Sequence, residues 1–146
     1  MKHVWSVLCS KSITDREENL ISLINCIEHI KIEVDEKNKE EIKQKIKGIP
    51  VNLELVNLWF DNDIKKIRKF EVMVKIFDNK NQEIEKFSGA FVLVENMKRM
   101  RTRMKIGVLP IIKSGLYFLK ISFKEEKAKD YREVAEIPLE IETNLN

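Results

Sequence analysis

Glycine is scarce in this chain, with four in 146 residues, so a phosphate-cradling loop has nowhere to sit. No G-x-x-x-x-G-K-[ST], G-x-S-x-G or H-E-x-x-H run occurs either, and no catalytic residue is assigned. Carboxylate neighbours such as Glu17–Glu18 and Glu40–Glu41 belong to polar runs and are not opposed across a cleft. The chain therefore reads as a non-enzyme. Cysteine is rare too: Cys9 and Cys26 are too few for a disulfide framework. His3 and His29 form no metal-ligand spacing with them, so no metal and no cofactor are expected. No stretch approaches the ~18 apolar residues of a membrane span, which argues against a membrane partner. The opening MKHVWSVLCSKSITD turns polar after about seven residues, too early for a secretory core, so a cytoplasmic location is expected.

What is present is a globular composition under a heavily charged surface. Hydrophobic residues make up 43% and charged residues 35%, with a net charge of +3. A chain of this length buries roughly two-thirds of its unfolded surface, enough to fold as one domain spanning 1–146 without metal or disulfide. The mild basicity permits an anionic partner without requiring one. Its distribution is uneven: residues 1–35 carry four Lys/Arg against six Asp/Glu, whereas Met97–Lys105 holds five cations and no acid.

Period-two patterns dominate. HVWSVLC sets His3, Trp5, Val7 and Cys9 on one face. After the polar SKSITDREE, the β-branched run NLISLINCIEHIKIE makes one long bent strand or two short ones. VNLELVNLWF aligns Leu53, Leu55, Asn57 and Trp59, and KFEVMVKIFD aligns Phe70, Val72, Val74 and Ile76. EIEKFSGAFVLVE continues as a strand with Gly89 as a candidate bulge. GLYFLKISF follows a turn at Gly115, and VAEIPLEIE places Pro138 in a last strand expected at a sheet edge. Only the segment around residues 36–47 argues for helix, with Ile42 and Ile46 four apart and Gly48 to close it. About eight strands, one short connecting helix and no βαβ alternation predict an all-β antiparallel sandwich.

The segments CSKSITDREENLISLINCIEHI, IGVLPIIKSGLYFLKISF and IPLEI resemble a family of small uncharacterised prokaryotic β-sandwich proteins. Gly107, Pro110, Gly115 and Tyr117 match structural positions of that pattern. The resemblance implies a lone sandwich of immunoglobulin-like or fibronectin-like architecture and supplies no catalytic residue.

The stretch MKRMRTRMK has two competing periods. As a helix, Met97, Met100 and Met104 form a stripe; as a strand, Met100, Thr102, Met104 and Ile106 face inward. The strand accounts for every residue and runs straight into GVLPIIKSGLYF. It places Arg99, Arg101, Arg103 and Lys105 on the outer face, recurring every ~6.6 Å. These four are the candidate anionic-partner site. The competing expectation is that acids on neighbouring strands, Glu83, Glu85, Glu95, Glu125 and Glu126, balance them. Asp61 and Asp63 sit on a loop where they serve turn chemistry or an ion. Trp5, Trp59, Phe60 and Tyr117 are expected in the core. The functional expectation is a protein-interaction or structural module, acting on an unknown protein partner or on itself. The alternative is nucleic-acid or other polyanion binding through the basic face.

Overall fold

A computed structural model describes residues 1–35, 37, 39–40, 48–111 and 113–145. Nine strands run in order as β1 (Lys2–Thr14), β2 (Ile21–Cys26), β3 (His29–Ile32), β4 (Ile49–Phe60), β5 (Arg68–Phe77), β6 (Glu83–Leu93), β7 (Arg99–Leu109), β8 (Gly115–Glu125) and β9 (Arg132–Thr143). They form two sheets, a four-stranded one ordered β2-β1-β4-β7 and a five-stranded one ordered β3-β9-β8-β5-β6. Every pairing is antiparallel except β3 with β9. The helix expected at 36–47 falls for the most part on residues outside those described.

One core joins the inward faces of both sheets. Phe70, Val72, Val74 and Ile76 of β5 are all buried, as their alternation predicts. Leu119, Ile121 and Phe123 of β8 and Leu139 and Ile141 of β9 extend the same layer. From the smaller sheet come Leu8, Leu53, Leu55, Trp59, Met104 and Ile106. Trp59 is 0% exposed and bridges the layers: its ring centroid lies 5.3 Å from Phe70 and 5.1 Å from Phe123. These are edge-on and tilted contacts of the kind that aromatic quadrupoles favour.

A polar thread runs through the inner face of the smaller sheet. Trp59 Nε1 and Asn57 Nδ2 both donate to Thr102 Oγ1, at 3.0 and 3.1 Å. Ser6 Oγ donates to Asn57 Oδ1 at 2.6 Å and lies 2.7 Å from His3 Nε2. Because the Ser6 proton is committed to Asn57, His3 Nε2 is the donor to Ser6. The pair is thus a satisfied core network and not a base poised on a nucleophile. Burial pushes the His3 pKa below its ordinary 6.5, against a smaller upward pull from the Trp5 backbone.

Three local expectations are corrected. A register shift between His3 and Trp5 inserts a bulge, so His3 turns inward while Trp5, Val7 and Cys9 face out. Gly89 is not a bulge: it pairs in register with Val72, and the irregularity on that ladder lies between Ile76 and Phe77. NLISLINCIEHIKIE takes the second of its two expected forms, two short strands β2 and β3, which enter different sheets. β9, expected at a sheet edge, lies between β8 and β3 instead. Pro138 pairs with Phe118 of β8, and β3 covers β9 only from Glu140 to Thr143. On its other side Pro138 therefore has no ladder partner among the described residues, as its missing N–H requires.

Two stability outcomes follow from these contacts. Trp59→Ala removes the bridge between the sheets and should cost about 3–5 kcal/mol in urea unfolding. His3 is held neutral by burial, so its folded pKa lies below the unfolded one. Its contribution is therefore complete above about pH 6.5 and is lost as pH falls through the depressed folded value. Urea midpoints measured across pH 7 to 5 should fall, and His3→Gln should flatten that slope.

A candidate anion-binding face on the smaller sheet

β7 is an edge strand, paired on one side with β4, and among the described residues nothing pairs with its other side. Its alternation is the one the residue pattern predicts. Thr102, Met104 and Ile106 are buried, with Met100 packed against the core. Arg99, Arg101, Arg103 and Lys105 lie on the opposite, outer face.

The β1-β4-β7 register sets that outer face out in rows. Lys2, Phe60 and Arg99 form one, and Trp5, Leu58 and Arg101 the next. Val7, Val56 and Arg103 follow, then Cys9, Glu54 and Lys105. Trp5 and Phe60, expected in the core, are half-buried here, and the Arg99 guanidinium carbon sits 5.8 Å from the Phe60 ring centroid. Such a contact contributes about 0.5–1 kcal/mol at an exposed site. Tyr117 and Trp59 are in the core as expected.

The acids proposed to balance the row lie elsewhere. β6 pairs with β5 in the larger sheet, so Glu83 and Glu85 are not across from β7. Glu83 binds Lys75 at 2.7 Å, Glu126 meets Lys69 at 3.5 Å, and Glu125 reaches Arg68 at 3.9 Å. Among the described residues, none of Arg99, Arg101, Arg103 and Lys105 has a carboxylate within ion-pair distance. Glu54, facing Lys105 across the ladder, feels the charges of Arg103 and Lys105, but its carboxylate is turned toward Ser12 of β1.

β1 is longer than the alternation suggested, because SKSIT continues the strand to Thr14. From Cys9 onward it leaves β4 and pairs with β2 instead. The resulting hairpin crosses the outer face of β4 toward β7. Glu54 Oε2 accepts from both the Ser12 amide, at 2.8 Å, and the Ser12 hydroxyl, at 2.5 Å. Arg101 reaches the hairpin turn, with Nη1 donating to Asn19 Oδ1 at 3.0 Å and Nη2 to the Asn19 carbonyl at 2.8 Å. Asn19 takes φ 55°, a left-handed conformation asparagine tolerates, and that turns its carbonyl into the corner. Val56, an outer-face residue, is only 1% exposed as a result.

Between hairpin and sheet lies a cleft of about 430 Å³, walled by Ser12, Thr14 and Arg16 on one side and Val56, Arg101 and Arg103 on the other. The third Arg101 donor, Nε, is covered and has no acceptor. A buried unpaired donor costs about 1–3 kcal/mol. Against the upward push of burial, the Ser12 hydrogen bonds and the charges of Arg103 and Lys105 hold Glu54 below the ordinary carboxylate value of 4.5. Sequence reasoning found the β7 cations but missed Arg16, Asn19 and Glu54. The available signal was the alternation of Ser10, Ser12 and Thr14 ahead of a turn with asparagine.

The remaining candidates resolve into structural roles. Asp61 Oδ2 accepts from Arg68 Nε at 2.8 Å and its Oδ1 from the Asp63 amide at 3.0 Å. Asp63 in turn meets Lys66 at 2.9 Å. Their oxygens are therefore committed to cations and turn amides. Cys9 and Cys26 are free thiols placed opposite each other across the β1–β2 ladder, the first buried and the second exposed. No helix among the described residues is long and apolar enough to cross a membrane. No protein-family model matches the sequence, and no curated protein matches it.

The Glu54 tether generates a testable outcome. Its folded pKa is depressed, so its contribution is present above about pH 4.5 and lost as pH falls through the folded value. Glu54→Ala, which strands the Ser12 amide, should destabilise by about 1.5–3 kcal/mol at pH 7. Amides of β2 should then exchange faster than those of β5.

Proposed function

We propose that the chain is a non-enzymatic protein-interaction module that accepts an extended acidic segment of a partner along β7. The carrying observation is an eleven-residue edge strand whose four outer cations have no carboxylate partner among the described residues. An added strand would use the free main-chain groups of β7 for affinity. Its alternate side chains, ~6.6 Å apart, would match the arginine spacing. Arginine favours this role because its planar fork takes a carboxylate through two hydrogen bonds. Unpaired edges otherwise invite aggregation, and the cations restrict which segment can add.

We also read the architecture as an immunoglobulin-like sandwich, in keeping with the resemblance noted above. The order β9-β8-β5-β6 opposite β1-β4-β7 corresponds to the G-F-C-C′ and A-B-E sets of that fold. Tyr117, at the start of β8, donates its hydroxyl to the Lys113 carbonyl at 2.9 Å, the form of a tyrosine corner.

Nucleic-acid binding through the same row is the second reading, favoured by the Phe60 ring beside Arg99. Fluorescence anisotropy separates the two, comparing a peptide of alternating Glu and Val with a single-stranded oligonucleotide of equal charge. The peptide should bind and lose about tenfold in affinity in the Arg99→Gln, Lys105→Gln double variant. Backbone N-methylation of the peptide should abolish binding. Oligonucleotide binding without peptide binding would establish the polyanion reading in its place, and binding of neither would refute both.

A further inference from the structure

We infer that the cleft between the β1–β2 hairpin and the outer face of the smaller sheet is a binding site for a small phosphorylated ligand, held through its phosphoryl group by Arg16, Arg101 and Arg103. This goes beyond strand addition at β7 and stands whether or not a partner adds there.

Three arginines from two separate elements line one concavity, Arg16 from the hairpin turn and Arg101 and Arg103 from β7. Like charges brought together this way repel unless an anion lies between them. None of the three has a carboxylate within ion-pair distance among the described residues. Two nearby acids are otherwise engaged. Asp15 Oδ1 accepts the amides of Glu17 and Glu18 within its own turn, and Glu54 is bonded to Ser12.

The cleft is held in shape before any ligand arrives. Arg101 fixes the turn through two bonds to Asn19, and Glu54 fixes the strand through two bonds to Ser12. That leaves donors for a ligand. Arg16 and Arg103 are exposed and hold no hydrogen bond among the described residues, whereas Arg101, with both Nη groups bonded to Asn19 and its Nε covered, contributes charge. The Thr14 hydroxyl, also exposed, is a further donor on the wall. The Ser12 proton is spent on Glu54, so Ser12 contributes shape and no donor.

Forked cationic donors suit a tetrahedral oxyanion that offers several acceptor oxygens. Ile21 and Val56 give the same cleft an apolar wall. Its volume of about 430 Å³ exceeds what a bare phosphate fills, leaving room for the group that carries it. A phosphate ester with an apolar or ring portion thus fits the lining better than the free ion.

Isothermal titration calorimetry with inorganic phosphate, pyrophosphate and sulfate tests the assignment on the full chain. Pyrophosphate should bind at one saturable site, more tightly than phosphate, with sulfate weakest. Arg16→Gln, an exposed change away from the β7 ladder, should weaken pyrophosphate by about tenfold, the loss expected for one charge-assisted contact. The Arg99→Gln, Lys105→Gln variant should bind pyrophosphate within about twofold of the parent. Absence of saturable binding would overturn the site. Equal affinity in Arg16→Gln would also overturn it, as would a larger loss in the Arg99, Lys105 variant, which would assign the anion to the edge row.

Discussion

The indole of Trp59 is the constraint around which the two sheets are arranged. Its ring fills the space between them against Phe70 and Phe123, while its N–H is tied to Thr102 on the adjacent strand. An aromatic of this size contributes large buried area only if its polar edge is satisfied. Thr102 supplies that satisfaction, and so the inward position of residue 102 is set by the core. With period-two geometry, Arg101 and Arg103 must then point outward. The basic face is thus a consequence of how the core is built. A one-residue slip of β7 would place arginines against Trp59 and threonine in water, which is why the register is strongly specified.

The same logic explains why this face stays chemically open. β7 pairs with β4, whose outer side chains are mostly apolar, and the glutamates of β6 belong to the other sheet. Glu54 is the exception on β4, and it is drawn toward Ser12. The hairpin that draws it away also covers Val56 and brings Arg16 beside Arg103. One folded-over element therefore buries apolar surface, ties the local carboxylate to Ser12 and encloses the cleft.

Much of the layer arrangement was legible beforehand because alternation is a local property. The inward sets Phe70–Val72–Val74–Ile76 and Leu53–Leu55–Asn57–Trp59 could be read directly, as could the β7 pattern. Bulges were not legible. The one between His3 and Trp5 reverses the face of everything after it, and nothing in HVWSVLC marks it, whereas Gly89 looked like a bulge and sits in regular register. Polar strands also escaped notice, since SKSIT has no apolar face to reveal it and its strand character comes from pairing with β2.

By itself the sequence determined the side-chain periodicity: which residues of β7 share a face, that the face is cationic, and that no glycine-rich or metal-ligand motif competes with it. Those are properties of spacing along one strand, and neighbours in sequence suffice to define them. The choice of neighbours in space belongs to the tertiary structure alone. It placed the expected acids in the other sheet, turned Trp5 and Phe60 outward, and carried Arg16 across β4 to stand beside Arg101 and Arg103. Strand order depends on packing between the sheets and hairpin direction on bonds to Glu54 and Arg101, contacts between residues far apart in sequence that no local pattern encodes.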